Sequence, residues 1–385
     1  MHLNKMKQLK KILLLLYCII SMLYSFSQQT LCNDEIIINT KGSWKKHSDA
    51  NMNAANQSQV ISRIDKMQKI LQAAYTNPRG IEARWYRTMI NDPLIINGPL
   101  PYQLNVMFQI YYCLNENKIE LGDETSTWMY VYANHFNWFM EYNHDFTVKK
   151  NPVYLLTKKV GEMQGYPVYE GIHNGTSNTG TRYSRAVILT RPGQSPYIPV
   201  TQKQYLKAFL LFNEKRLPET IAGIENGFKV KTDAQEQESK QKALESIAKN
   251  TNVNAVERRK AEYLKNYKTD KQSKEDFIAR VKKDYQDVIN PVQDLLANSS
   301  EQEKGQPAIV DNIDFLKFKG FSTEAKNGRQ MVRLNPDYFD SKLPKYIPQF
   351  LIVYWRWEKN KFSENFKNEL ETNFNFNALK AMIDK

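Results

Sequence analysis

Val106, Phe108, Ile110 and Tyr112 alternate with Met107, Gln109 and Tyr111. A period of two is satisfied by a pleated strand and not by a helix, so this segment commits the chain to a sheet. Gly122-Asp123 is a turn signal, after which Trp128, Tyr130 and Tyr132 fall on one face of a second strand. Val153 to Thr157, Tyr166 to Tyr169 and Ser184 to Thr190 read as further strands, punctuated by Gly165, the run His173 to Gly180, and Pro192-Gly193.

Helical spacing brackets these strands. Val60, Ile61, Ile64, Met67, Ile70, Leu71 and Ala74 recur at steps of three and four, and Asn77-Pro78-Arg79-Gly80 closes that helix. Thr201 followed by Gln204 is a capping box opening a helix through Tyr205, Leu206, Phe209, Leu210 and Phe212. Residues 35–225 are therefore expected to form an α+β domain around an antiparallel sheet with flanking helices.

Residues 229–304 are different material. Thr232 to Ser300 holds 13 Lys+Arg and 12 Asp+Glu, a balance that favours solvated helix over a packed core. Phe277, Val281, Tyr285, Val288, Val292 and Leu295 form a short coiled-coil-like seam, with Pro291 as a candidate kink. The expectation is a charged helical arm packed on its own chain. Residues 305–385 return to a small α+β segment. Gln330 to Leu334 and Phe350 to Trp357 read as strands, and Phe362, Phe366, Leu370, Leu379, Met382 and Ile383 as closing helices. A piece this small is marginal as an independent core and is expected to extend the first domain or to stand beside it.

The N-terminus carries an address. Lys5, Lys7, Lys10 and Lys11 precede an apolar run from Ile12 to Tyr24, and Ser25-Phe26-Ser27 places small residues before Gln28. This is the order of a secretory signal over residues 1–27, cut between Ser27 and Gln28. The run falls short of the ~20 apolar residues that a membrane span needs. Neither Cys18 nor Cys32 follows a small residue, as a lipoprotein would require. The mature chain is expected to be soluble, without a membrane span, and secreted or periplasmic.

Removal of the signal changes two other arguments. The full chain has 54 Lys+Arg and 41 Asp+Glu; without the four signal lysines, 50 remain, and the net charge falls from +13 to +9. Dispersed charge of that size is a solvated surface, so nucleic acid is not an expected partner. Of three cysteines, Cys32 and Cys113 remain, too few for a zinc site, and an oxidising compartment permits a disulfide between them.

Catalytic signatures are sparse. The sequence has no G-x-S-x-G elbow, Walker loop, H-E-x-x-H helix or acidic calcium loop, and its glycines at 161, 165, 171 and 175 are spaced as turns. No cofactor or metal is expected. One segment, 134–145, concentrates His135, Glu141, His144 and Asp145, a composition able to transfer protons near neutral pH. Surface or hydrogen-bonded structural histidines are the default reading of such a segment. Trp128, Tyr130, Tyr132 and Trp138 are candidates for a stacking platform that binds a ligand, against the alternative that they pack beneath a helix. Arg191-Pro192-Gly193-Gln194-Ser195-Pro196-Tyr197-Ile198-Pro199 is a stiff elbow between a strand and the capped helix.

The Ser-Phe-Ser-Gln signal ending, the segment from Ser184 to Phe212 with its Arg-Pro-Gly and Pro-Tyr-Ile-Pro-Val, and Asn335-Pro336-Asp337-Tyr338-Phe339 with Leu343-Pro344 and Gln349 resemble parts of uncharacterised secreted proteins of Bacteroidota-type bacteria. The resemblance touches both ends of the mature chain and supplies no activity. The expected function is an exported binding or interaction protein of the periplasm or envelope, with an envelope protein or a glycan as partner. The alternative is an exported hydrolase using His135, Glu141 and His144.

Overall fold

The alternating segments fold as strands and the three-four segments as helices, giving an α+β architecture. The computed structural model describes residues 32–52, 57–115, 118–123, 125–136, 139–148, 151–177, 180–249, 253–311 and 318–385, without the side chains of 142–145, 177 and 254. The signal segment with Ser27 and Gln28, and Trp138, lie outside these residues.

In chain order the elements begin with α1 (Asp34–Asn39), β1 (Trp44–Lys46), α2 (Gln57–Ala74), β2 (Ile81–Met89), β3 (Tyr102–Asn115), β4 (Lys118–Leu121) and β5 (Trp128–Ala133). Next come β6 (Met140–Val148), β7 (Asn151–Leu156), β8 (Lys159–Met163), β9 (Tyr166–Glu170), β10 (Gly175–Ser177), β11 (Gly180–Leu189) and β12 (Tyr197–Pro199). The helices α3 (Gln202–Gly227), α4 (Asp233–Ala248), α5 (Val253–Asn266), α6 (Asp270–Asn298) and α7 (Glu301–Gly305) follow. The chain closes with β13 (Ile309–Val310), β14 (Arg329–Leu334), β15 (Leu351–Glu358), α8 (Lys361–Asn373) and α9 (Phe376–Lys380).

Contacts divide the chain into two compact units, the first holding Met1–Phe139, Lys159–Pro196 and Pro336–Lys385 and the second Met140–Lys158 and Tyr197–Asn335. The strands within 35–225 are accordingly shared between two sheets.

Unit 1 is built on a ten-stranded sheet ordered β1-β2-β3-β5-β15-β11-β9-β8, with β4 and β10 on side branches. All of its pairs are antiparallel except β1 with β2. The late strand β15 sits between β5 and β11, so the last 50 residues supply the middle of a sheet that begins at Trp44, 307 positions before Leu351. Its start, Leu351 to Trp355, is buried on both faces, which explains a nearly continuous apolar run where one-sided strands alternate.

The pleat sends Val106, Phe108, Met129, Val131, Val353 and Trp355 to one face, where they join Ile64, Met67 and Leu71 of α2 and Phe366 and Leu370 of α8 in one core. The Phe366 ring lies against Phe108 with centroids 3.9 Å apart and planes tilted by 34°, and is fully buried; truncating such a ring to alanine costs about 3–5 kcal/mol. A disulfide ties Cys32, at the entry to α1, to Cys113 of β3, with Cα atoms 5.8 Å apart.

Unit 2 has a second sheet, β12-β14-β7-β6 with β13 beside β14. Its core joins Phe146, Val153 and Leu155 to Tyr205, Leu206 and Phe209 of α3. The Thr201–Gln204 capping box is formed, and α3 continues through Pro218 to Gly227, beyond the apolar positions that announce it. Thr232 and Thr269 cap α4 and α6 in the same way. The seam of α6 packs on α3: Val292 is fully buried, Tyr285 Oη lies 3.2 Å from Thr220 Oγ1, and Pro291 sits within the helix without ending it. Phe277, at the other end of the seam, remains exposed.

Candidate functional site

The opposite face of the unit 1 sheet is polar and aromatic. Register places Gln103, Asn105 and Met107 of β3 beside Tyr132, Tyr130 and Trp128 of β5. On the other side of β5 the same three rings face Ile352, Tyr354 and Arg356 of β15, which in turn meet Ile188, Ala186 and Ser184 of β11. Arg84, Tyr86 and Thr88 of β2 extend the face at one edge, and Tyr169 of β9 at the other.

Period-two spacing stands the three β5 rings in a ladder. Trp128 and Tyr130 are stacked with centroids 5.7 Å apart and planes 8° from parallel; Tyr130 and Tyr132 repeat the arrangement at 5.7 Å and 10°. Tyr354 joins from the next strand, 5.9 Å from Tyr130. Because the rings turn their π-faces onto one another, Tyr130, between its two neighbours, offers no free ring face. The ladder therefore differs from a flat platform for stacking a sugar. Trp138, the fourth aromatic of the sequence proposal, lies outside the described residues.

Burial deepens along the ladder: Trp128 and Tyr130 are partly exposed, while Tyr132 is fully buried. Burial holds the phenols of both Tyr130 and Tyr132 above their ordinary range. The Tyr132 hydroxyl has no hydrogen-bond partner, nor do Gln103 Oε1, Gln109 Oε1 and Arg356 Nε. Gln103 donates through Nε2 to Asn105 Oδ1, and Asn105 donates through Nδ2 to Thr88 Oγ1. That chain uses the amide donors and leaves the Gln103 oxygen bare. Unpaired buried groups of this kind each cost about 1–3 kcal/mol, and their concentration on one sheet face sets it apart from the core.

Arg356 lies with its guanidinium carbon 5.6 Å from the Trp128 ring centre and forms no ion pair among the described residues. Of the acids on the face, Glu82 is bound by Lys45 at 2.6 Å and Arg84 at 2.9 Å. Glu358 accepts a long bond from Asn360 Nδ2 at 3.4 Å.

A loop after β9 completes the site. Asn174 Oδ1 accepts from the Ser184 N–H and hydroxyl, fixing the loop to β11. His173 Nδ1 then lies 2.8 Å from Tyr354 Oη, with its ring edge-on at 6.0 Å. Burial and the nearby cations Arg356 and Arg182 push the His173 pKa down to about 4, so the imidazole is neutral at physiological pH. Burial raises the Tyr354 pKa to about 12. Gly171 permits the close approach: a Cβ there would lie 2.3 Å from Ser184 Oγ and 2.5 Å from Tyr354 Cε2.

The histidine–carboxylate candidates fall elsewhere. His135 is in unit 1 and Glu141 in unit 2. His135 is held below its ordinary pKa by burial, partly offset by Asp92. Glu141 takes a bidentate pair from Arg329 at 2.6 and 3.2 Å, a bond that would have to be released before the carboxylate acted as a base. His144 and Asp145 lie on β6, in the stretch where its register with β7 shifts, and their side chains are outside the description. Among the described residues no three His, Cys, Asp or Glu side chains group as a metal site.

Tyr354, Arg356, His173 and Gln103 were not singled out by the sequence pattern. Phe350 to Trp357 reads as a strand, but the pairing that brings it beside β5 spans more than 200 residues and leaves no local signal. Comparison with protein-family models, curated proteins and solved structures finds no match to this chain, so the reading of the face rests on its own geometry.

Proposed function

We propose that this chain is an exported, soluble, non-enzymatic binding protein of the periplasm or cell envelope, which recognises a glycan or an envelope protein through the tyrosine-rich face of its unit 1 sheet. The observation that carries the reading is the partly exposed end of the ladder, where Trp128 and Tyr130 stack on one another beside Arg356, which has no ion pair among the described residues. Amphipathic rings and a guanidinium on a rigid sheet are the side-chain types that recognition surfaces concentrate. Export is supported by the basic, apolar and small-residue order of residues 1–27 and by the Cys32–Cys113 disulfide. Among the described residues no helix is long and apolar enough to cross a membrane.

A glycan array and an envelope-extract pull-down, run with wild type and with the double variant Trp128→Ala/Tyr130→Ala, test the proposal. Retention of a partner by wild type that the variant loses supports it. Turnover in a screen of ester, peptide and glycoside substrates, abolished by Glu141→Gln, would replace it with the hydrolase reading.

A further inference from the structure

We propose that a cleft on the helical side of unit 1 binds a small polar zwitterion, a free α-amino acid, with its carboxylate at Arg79 and its ammonium at Glu369. The cleft has a volume of about 440 Å³ and lies between the last turn of α2, the segment that follows it, and α8. That volume is in the range of small-molecule sites. Both helices cover the core face of the sheet, the side away from the tyrosine ladder. The proposal therefore stands apart from the binding role given above.

Helical spacing builds one wall. Asn365, Glu369 and Asn373 stand four residues apart and form a polar stripe of α8, while Phe366 and Leu370 beside them are buried in the core. Tyr75 forms the floor. Its ring meets Phe108 and Phe366 edge-on at 6.1 and 5.6 Å, and the residue is 3% exposed. Its hydroxyl accepts the Arg79 N–H at 3.4 Å and donates to none of the described residues. Burial raises its pKa to about 12, with Glu369 adding to the rise and Arg79 offsetting it. The phenol thus keeps a proton to donate and lies within the field of both charges.

Those two charges define the ligand. Arg79 and Glu369 line the same cleft, yet among the described residues neither forms an ion pair, with the other or with a third group. The Glu369 carboxylate accepts from Asn373 Nδ2 at 3.0 Å. The last turn of α2 carries no basic residue and lines the cleft at Ala73 and Ala74, where the carbonyls of a helix end favour a cation. A bare anion would be drawn by Arg79 and repelled by Glu369 and the helix end. A bare cation meets the reverse. A molecule with both charges on one small frame answers all three. Thr76, Asn77 and Asn365 complete a lining of donors and acceptors, which suits a polar side chain better than an aliphatic one.

The test is calorimetric titration of the full chain with glutamine, N-acetylglutamine, glutaminamide and leucine. Glutamine is expected to bind, each blocked form at least about tenfold more weakly because one charge is missing, and leucine severalfold more weakly. Arg79→Gln should lose about tenfold for glutamine and change little for glutaminamide, which has no carboxylate. Glu369→Gln should lose as much for glutamine and change little for N-acetylglutamine, which has no ammonium. Both side chains belong to exposed residues, so the two variants should melt with wild type. Trp128→Ala/Tyr130→Ala should bind glutamine as wild type does.

No binding of glutamine, blocked forms that bind as tightly as glutamine, preference for leucine, or glutamine binding untouched by either charge variant would each overturn the proposal. Loss of glutamine binding in Trp128→Ala/Tyr130→Ala would overturn it too, by moving the site to the ladder. An empty envelope-extract pull-down bears on the sheet face and leaves this cleft to its own titration.

Discussion

His173 Nδ1 lies 2.8 Å from the phenolic oxygen of Tyr354, and the two groups titrate in opposite directions from their ordinary values. The imidazole falls to about 4 and the phenol rises to about 12, so both are neutral across the physiological range and share a hydrogen bond whose direction follows the imidazole tautomer. Below pH 6.5 the unfolded chain binds a proton that the folded His173 refuses until about pH 4. Stability therefore rises with pH through that window: it is present in full above 6.5 and is lost as pH falls through 4. Thermal melts at pH 7 and pH 4.5 should show a drop in wild type that His173→Gln reduces. An identical drop in both proteins would refute the assignment.

Gly171→Ala should destabilise unit 1 by about 1–3 kcal/mol through overpacking, because the new methyl meets Ser184 Oγ at 2.3 Å and Tyr354 Cε2 at 2.5 Å. Gly161→Ala is the matched control. A Cβ there meets nothing within 4 Å, and a surface change of this kind is expected to stay within about 0.5 kcal/mol. Urea denaturation of the two variants checks the difference.

The Cys32–Cys113 disulfide joins residues separated by 81 positions. Replacing both cysteines with serine should cost roughly 2–4 kcal/mol, as loop closure in the unfolded chain is released. Denaturation of wild type with and without reductant should reproduce that loss. An unchanged midpoint would mean that the cross-link carries no stability.

Arg191 anchors the chain's end. Its Nε and Nη2 grip the Asp384 carboxylate at 2.6 Å each, Nη2 also donates to Gln349 Oε1 at 2.9 Å, and Nη1 donates to the Tyr338 carbonyl. The guanidinium carbon sits 4.5 Å from the Tyr338 ring centre. Arg191→Lys keeps the charge and loses the fork, so a loss of about 1–3 kcal/mol is expected. Hydrogen exchange should quicken in residues 376–385 and stay unchanged in α2.

Local patterns in the sequence carry much of this structure. Period two in 106–112 and 128–132 makes strands, and Thr201 with Gln204 starts a helix, because those signals depend on neighbours a few residues away. The ladder of Trp128, Tyr130 and Tyr132 is visible in the spacing alone, although spacing does not say whether rings present faces or edges. Long-range pairing leaves no such trace. Nothing near Tyr354 or Arg356 announces that β15 lies between β5 and β11, and nothing near Met140 to Leu156 announces that β6 and β7 pair toward β14 instead of joining the larger sheet. Arg191, part of an apparent elbow, acts by holding Asp384, 193 residues away.

Hydroxyl-radical footprinting, read by mass spectrometry with and without an envelope glycan fraction, tests the binding face most directly. Protection of Trp128, Tyr130 and Tyr86, with His135 unchanged, is the expected result. Protection confined to other surfaces, or none at any of these three side chains, would contradict the assignment of this sheet face as the site of recognition.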